Sequence, residues 1–274
     1  MRPSRKWMLW TFFLLVALVQ LFPLLWLANF SIVEASGFFT DKILFWPDAP
    51  QWHNYVNAWV DGKFPRYLLN SVVVSAATII LTVVISVSMA YAFTRMQWKG
   101  RSVVYSIILL GIMIPIHATL LPNFAIFKEL GLTNSYWGLI LPYTAVSVPF
   151  ATFILTGFMK SIPLAVEESA VVDGASIYRI VFRIILPLTM PAVVTVAVST
   201  FLTCWNEFIM AYTFISKDAL KTLPFSVMNF AGQYSSDYGS QFAVMVLTSI
   251  PAVIIYAIFN EKITKGVTAG AVKG

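Results

Sequence analysis

Residues 69–94 read LNSVVVSAATIILTVVISVSMAYAFT and contain no charged side chain. At a rise of about 1.5 Å per residue, a helix of this length exceeds the apolar core of a bilayer, which is about 30 Å thick. Other apolar runs of similar character follow and precede it, separated by polar connectors. The predicted transmembrane spans are 7–28, 69–94, 103–121, 137–158, 188–215 and 242–259. The sequence therefore predicts an all-α membrane protein with six transmembrane helices.

The composition of the whole chain supports this class of protein. Of its 274 residues, 59% are hydrophobic and only 11% are charged, whereas soluble domains carry about 25% charged residues. Such a chain cannot cover itself with polar surface, so its helices must pack in lipid. The net charge of +6 would suggest nucleic acid for a soluble protein. In an apolar chain the position of each cation matters more, and no nucleic-acid partner is predicted.

The lysines and arginines predict an orientation. With the amino terminus inside, the cytoplasmic segments hold 12 of the 18 cations, and the outer segments hold the other 6. Because short cytoplasmic loops are enriched in lysine and arginine, both termini are expected in the cytoplasm. The first span is longer than the apolar part of a signal peptide and lacks a small-x-small cleavage site, so we expect it to be retained.

Five prolines lie inside the predicted spans, namely Pro115, Pro142, Pro149, Pro191 and Pro251. Proline removes a helix hydrogen bond and clashes with the preceding turn, so each position is a candidate kink or break. The alternative is that proline is simply commoner in membrane helices than in soluble ones. The sequence leaves both open at each position.

The inner loop, residues 160–187, carries the most specific local pattern. Together with the start of the next span it reads KSIPLAVEESAVVDGASIYRIVFRIILPLTMP. Pro163 suits a first helical turn, and Gly174 is a natural left-handed stop. Ser176 can cap a second helix, which we expect to end before Pro187. The pattern therefore predicts a short helix, a break and another helix on the cytoplasmic side.

The side chains of this loop suit docking more than catalysis. Ala170, Gly174 and Ala175 would let the backbone of another protein approach closely, while Glu168 and Asp173 offer anions to a partner's arginines. The alternative reading is an amphipathic connector that lies on the lipid surface.

Residues 168–175, read as ESAVVDGA, and the following Phe182, Ile185, Leu186 and Pro187 closely resemble the Glu-Ala-Ala loop of ABC importer permeases. Ser169 departs from the usual alanine but is also small. The resemblance implies the type I ABC importer permease fold, in which this loop is a coupling helix held in a cleft of the ATPase subunit. The implied coupling residues are Glu168, Ser169, Ala170, Asp173, Gly174 and Ala175.

The carboxyl-terminal residues 265–274, read as KGVTAGAVKG, are similar to the end of maltose-type and multiple-sugar permeases, as is the WNEF at 205–208. This resemblance implies the second permease of a heterodimer, with one permease domain over 1–274 and a cytoplasmic tail at 260–274. The tail residues expected to face the ATPase are Gly266, Thr268, Gly270 and Lys273.

The resemblance also implies the partners. They are a homologous second permease, two copies of an ABC ATPase, an extracytoplasmic solute-binding protein and a sugar or oligosaccharide, in a bacterial or archaeal cell membrane. This chain has no Walker sequence. No cofactor is therefore expected in it, and ATP and Mg²⁺ would be bound by the ATPase. A sugar-like solute such as glycerol 3-phosphate remains an alternative substrate.

Glu207 is the one acid placed inside a predicted span, where a charged side chain costs about 2.5–3.5 kcal/mol on insertion scales. We therefore expect it to line the translocation path, and the candidate path residues are Trp205, Asn206, Glu207 and Tyr212. The alternative is that Glu207 lies near the outer interface and pairs with another helix of the bundle.

Other functions fit the sequence less well. A secondary transporter would rely on Glu207 alone as a proton relay and would leave the inner loop without a task. A membrane enzyme would need a catalytic set, and the sequence offers no Ser/His/Asp or Cys/His pattern and no paired intramembrane acids. A scaffold without transport function predicts that uptake survives deletion of the chain.

Overall fold

The computed structural model describes residues 3–34, 37–38, 46–232 and 236–271, with side chains from residue 6 to residue 260 of these ranges. Within them the fold is helical, and the only β pairing is one isolated bridge between Ala231 and Ser236. The α-helices in chain order are α1 Pro3–Phe30, α2 His53–Val60, α3 Phe64–Thr94, α4 Arg101–Leu110, α5 Leu120–Glu129, α6 Trp137–Met159, α7 Ala165–Val172, α8 Ile177–Arg179, α9 Leu186–Leu188, α10 Met190–Asn206, α11 Ile209–Phe214, α12 Phe225–Met228 and α13 Tyr238–Ala271. Shorter 3₁₀ turns occupy Gly111–Met113, Ile116–Thr119 and Asp218–Leu220, and a π-helix occupies Ile180–Ile185.

Four of the described helices are long and apolar enough to cross a bilayer unbroken. They are Lys6–Phe30 in α1, Phe64–Thr94 in α3, Trp137–Met159 in α6 and Tyr238–Asn260 in α13. Two further apolar stretches are helix pairs with a sharp bend, and counting each pair as one span gives six. The predicted all-α class is thus confirmed, and the chain is a multi-pass membrane protein.

The third predicted span, 103–121, is broken at Pro115, one of the five prolines named as a candidate kink or break. The segment Arg101–Met113 bends by 94° into Ile116–Glu129. At the bend Ile114 and Pro115 adopt extended backbone, with ψ of 113° and 128°. Proline cannot donate a helix hydrogen bond and disfavours helical geometry in the residue before it, which accounts for the break.

The fifth predicted span, 188–215, is also interrupted. Helix α10 ends at Asn206, Glu207 is extended with ψ of 126°, and α11 starts again at Ile209. At its other end, Ile177–Leu188 meets α10 at an angle of 79°. Pro191 lies in the first turn of α10. Proline is tolerated there because the first amides of a helix have no partner in any case.

Two compact units account for the chain, and each is described by itself. The first comprises the described parts of 1–67 and 223–251. Its aromatic core includes Phe38, whose ring lies 5.4 Å from that of Phe242, and Trp26, whose ring lies 5.2 Å from Phe242. Whether 1–274 is one functional domain stays a prediction.

The second unit comprises 68–222 and the described part of 252–274. Its core joins α3, α6, the inner loop and α10, through a cluster of small and branched side chains. The most deeply buried members are Val87, Ala90, Ala151, Leu155, Met159, Ile185, Ala192 and Val196. The inner loop is therefore packed into the same core as the spans.

Candidate functional site

The first half of the inner loop is a short helix with a left-handed end. Helix α7 covers Ala165–Val172, two residues later than Pro163 suggested. Gly174 has a φ of +74°, so the predicted left-handed stop is confirmed. The amide of Gly174 donates to the carbonyl of Val171 at 3.0 Å, and that of Ala175 donates to Ala170 at 2.9 Å. This pair of bonds is a Schellman motif, which satisfies carbonyls at the helix end.

The second half of the inner loop begins with the predicted helix cap but does not end at the predicted residue. The hydroxyl oxygen of Ser176 accepts a bond from the amide of Arg179 at 3.4 Å, which confirms the expected cap. The expected end before Pro187 is wrong, because helical backbone continues through Pro187 to Leu188. The preceding Ile180–Ile185 is a π-helix. Its wider turn relieves the clash between the proline ring and the carbonyl four residues earlier.

The predicted coupling residues divide into two groups. Glu168, Ser169, Asp173 and Gly174 are exposed, beside Val172, which is 86% exposed. By contrast, two alanines face the chain's own core: Ala170 is 8% exposed, and Ala175 packs against the same cluster. Ala170 therefore leaves little surface for a partner, whereas Ala175 is half-buried and its contact with a partner stays a prediction. They allow the loop to approach its own bundle.

A buried ion pair holds the loop in place, and we call it the Arg95 clamp. Nε of Arg95 donates to Oε1 of Glu167 at 2.5 Å. One terminal nitrogen of Arg95 also donates to the carbonyls of Met159 at 3.0 Å and Ile162 at 2.8 Å. Both charged side chains are about nine-tenths buried. One guanidinium thereby connects the residue after α3, the end of α6, the connector and α7.

This clamp was not predicted from the sequence. Arg95 is one of the cations in the predicted cytoplasmic segments, and Glu167 directly precedes the predicted coupling residues. Neither residue lies near the other in the chain, and no spacing rule connects them. The one available signal is a cation placed directly after a long apolar run, and this placement is common at inner boundaries.

Glu207 lies in the break between α10 and α11 and is 8% exposed. Its Oε1 accepts a bond from the amide of Met210 at 2.8 Å. Its Oε2 accepts from the amide of Ala211 at 3.2 Å and from the hydroxyl of Tyr143 at 2.5 Å. The carboxylate thus satisfies the free amides at the start of α11 and links this helix to α6. The geometry is that of an acid paired inside the bundle.

The other three candidate path residues differ in how far their side chains are exposed. Trp205 is buried and its ring lies 4.9 Å from that of Phe201. Asn206 and Tyr212 are exposed, Tyr212 by 62%. A path role for the four residues stays a prediction, and only Asn206 and Tyr212 present surface to a solute.

The expected ATPase-facing tail is helical where it is described. Gly266, Thr268 and Gly270 lie in the last turns of α13, which continues without a break from the final span to Ala271. Lys273 lies outside the described residues. Among the residues that the structure describes, no three His, Cys, Asp or Glu side chains are grouped as metal ligands.

Comparison with known proteins agrees with these features. The family described as the inner membrane component of binding-protein-dependent transport systems matches residues 82–269, a region that includes the inner loop and the Glu207 break. The sulfoquinovosyl glycerol transport permease SmoH of Agrobacterium fabrum is 35% identical, over 93% of this chain and 89% of its own length. The trehalose/maltose permease MalG of Thermococcus litoralis is 34% identical, over 95% and 94%.

A solved structure supports the fold. A chain of a bacterial ABC transporter involved in the import of the acidic polysaccharide alginate superimposes with a TM-score of 0.82, at 20% identity, over 95% of this chain and 98% of that one. The family match and the full-length similarity to the curated relatives together show that this chain belongs to the inner membrane components of binding-protein-dependent transport systems, as a non-catalytic permease subunit of an ABC importer.

Proposed function

We propose that this permease forms half of the translocation path for a sugar or oligosaccharide. Both relatives described above are permeases for glycosides, one for sulfoquinovosyl glycerol and the other for trehalose and maltose. The other half of the path would come from a homologous permease. Two copies of an ABC ATPase would bind on the cytoplasmic side, and a solute-binding protein would deliver the sugar from outside. Both termini of this chain would then lie in the cytoplasm.

The observation that carries this proposal is the two-sided construction of the inner loop. Its inward face, with Ala170 and Ile185, is part of the core that contains α3, α6 and α10. Its outward face presents Glu168, Asp173 and the left-handed Gly174. A push on the outward face would therefore move the spans and not only the loop. A connector resting on lipid would instead be expected to carry lysines and arginines on its polar face.

Uptake by the reconstituted complex tests the proposed activity. The complex of both permeases, the ATPase and the binding protein is placed in proteoliposomes, and labelled mono- and oligosaccharides are offered with and without ATP. We expect ATP-dependent uptake of at least one sugar. Uptake of glycerol 3-phosphate but of none of the sugars would show that the substrate is a sugar-like solute and not a sugar. Uptake on an ion gradient without ATP would contradict the proposal and favour a secondary transporter.

Gly174→Val tests the coupling role of the inner loop. A Cβ atom at Gly174 would meet no atom within 4 Å, so the expected strain comes from the left-handed backbone and not from a clash of the Cβ atom. A side chain in the left-handed region costs about 1–2 kcal/mol. We expect the complex to assemble in reduced amount, and the assembled fraction to hydrolyse ATP with several-fold less sugar transported per ATP.

Gly100→Val is the matched control. Gly100 also has a positive φ, of +84°, and also has no atom within 4 Å of an added Cβ, but it lies in the connector between α3 and α4. We expect this variant to carry the same backbone strain with an unchanged ratio of transport to ATP hydrolysis. Normal transport by Gly174→Val, or an equal loss in both variants, would contradict the coupling role.

A further inference from the structure

A groove beside the Pro115 bend carries an unexpected set of hydroxyl groups within the spans. It has a volume of about 240 Å³ and lies between the turn at Gly111, helix α6 and helix α10. We call it the hydroxyl groove. Its lining includes the hydroxyl residues Ser147, Ser199, Thr200 and Thr203, together with Gly111, Phe150 and two aliphatic side chains.

The hydroxyl groups differ in how they are satisfied. Thr203 donates to the carbonyl of Ser199 at 3.1 Å, the usual way in which a hydroxyl on a membrane helix avoids exposure to lipid. Within the described part of the chain, no hydrogen bond is found for the hydroxyl of Ser147, which is 9% exposed, or for that of Ser199, which is half-buried. A polar group that faces hydrocarbon without a partner is unfavourable. We therefore expect this groove to face water or a polar solute.

The polar surface continues along α10. Ser199, Thr203 and Asn206 have the spacing i, i+4, i+7, which places them on one face of the helix. Thr203 and Asn206 are exposed, and the amide nitrogen of Asn206 donates to the carbonyl of Leu202 at 3.0 Å. This bond leaves the side-chain oxygen of Asn206 as an acceptor. The stripe extends about 10 Å along the helix axis and ends at the Glu207 break.

An aromatic ring completes the groove. Phe150 lies one turn beyond Ser147 on α6 and is 37% exposed. An apolar ring next to a few hydroxyl groups matches a sugar, which has an apolar C–H face and a rim of hydroxyls. None of the lining residues is charged. The lining therefore suits a neutral sugar and offers no cation to a phosphorylated or acidic solute.

We propose that the hydroxyl groove is a contact site for a neutral sugar on the translocation path, formed by Ser147, Phe150, Ser199 and Thr203. This proposal rests on the proposed function and specifies the surface and the substrate class. It also moves the predicted path from Trp205 and Glu207, whose side chains are buried, to the exposed face of α10 that includes Asn206. The competing occupant is a helix of the partner permease, packed against the small side chains.

Cysteine accessibility in the assembled complex separates these occupants. Cys204 is the only cysteine of the sequence and is buried, so Cys204→Ala removes every thiol from this chain, and labelling is measured on this subunit after the subunits are separated. Ser147→Cys, Ser199→Cys and Thr203→Cys are introduced one at a time. The control is Ser88→Cys, because Ser88 is an exposed serine on α3, outside the groove, whose hydroxyl bonds to Val84 at 2.8 Å.

Each variant complex in proteoliposomes is treated with a charged methanethiosulfonate reagent, with and without a sugar that the same vesicles import. Because a charged reagent enters hydrocarbon only at a cost of several kcal/mol, the groove cysteines should react about tenfold or more faster than Ser88→Cys. The imported sugar should slow their reaction and leave Ser88→Cys unchanged. Three distinct conservative replacements keep the test valid if one of them fails to assemble.

Reaction as slow as that of Ser88→Cys would show that the groove is covered by lipid or by the partner permease, and would overturn the proposal. Fast reaction without protection by an imported sugar would show a wet surface that the sugar does not touch, and would overturn it equally. Because uptake is measured in the same vesicles, a failure of the groove is distinguishable from a failure of the proposed sugar transport.

Discussion

Two glutamates of the second unit, Glu167 in the inner loop and Glu207 in the fifth span, are buried to a similar extent, at 7% and 8% exposure. Their carboxylates are satisfied in different ways. Glu167 is paired with a cation, Arg95, at 2.5 Å. Glu207 accepts bonds from two backbone amides and from the hydroxyl of Tyr143.

The difference follows from what each location can supply. At the predicted inner boundary lysines and arginines are common, so a cation is available to pair with a buried acid. At a helix break inside a span, several backbone amides lose their partners and no water replaces them. An acid placed there can accept bonds from those amides. An acid inside a span is therefore not by itself an indication of a substrate site.

The largest expected effect is at the Arg95 clamp. Arg95→Met removes the cation, leaves the Glu167 carboxylate unpaired and frees the carbonyls of Met159 and Ile162. Removing one partner of a buried pair destabilises a protein by about 3–5 kcal/mol. We expect a marked fall in the thermal unfolding midpoint of the purified complex, measured by the loss of monodisperse complex on heating. A variant as stable as the parent would show that the clamp does not hold the loop.

Arg101→Met is the matched control, because Arg101 lies near the same boundary but, among the described residues, donates to one carbonyl alone, that of Met96 at 3.1 Å, at an exposed site. It should leave the midpoint nearly unchanged. The exchange of Arg95→Glu with Glu167→Arg restores opposite charges but directs a carboxylate at two carbonyl oxygens. We expect no rescue of stability, and full rescue would show that charge pairing alone is sufficient.

A smaller loss of stability is expected when Glu207 is changed. Glu207→Gln removes the charge and replaces one carboxylate oxygen by an NH₂ group, which meets at least one of the three donors. A buried group left without its partner costs about 1–3 kcal/mol. The midpoint of the complex should fall by less than in Arg95→Met. Lost transport with an unchanged midpoint would contradict the structural role and favour a path role for Glu207.

Substitutions at two residues next to Glu207 serve as comparisons for Glu207→Gln. Tyr143→Phe removes only one of the donors to Glu207, so it should lower the midpoint by less than Glu207→Gln. Asn206→Ala changes the adjacent but exposed residue, where substitutions usually alter stability by about 0.5 kcal/mol or less. A fall for Asn206→Ala as large as that for Glu207→Gln would indicate that the break is sensitive to any change.

Local features could be predicted from the sequence because they depend on neighbours in the chain. The unbroken spans of α3 and α6 follow from the lengths of their apolar runs. The left-handed Gly174 and the Ser176 cap follow from the preferences of glycine and serine at helix ends. The breaks were harder to predict, because Pro142 and Pro149 lie inside a continuous α6 while Pro115 marks a 94° bend.

The sequence by itself determined the class of this protein: helices long enough to cross a membrane, and an acid-bearing turn between two of the spans. Only the tertiary structure decided which groups meet. It paired Arg95 with Glu167, directed Ala170 into the core, gave Glu207 its donors and brought Ser147 and Ser199 to one groove. Apolar length and helix-end preferences act within a few residues. By contrast, ion pairs and grooves form between segments whose separation in the chain leaves no periodic signal.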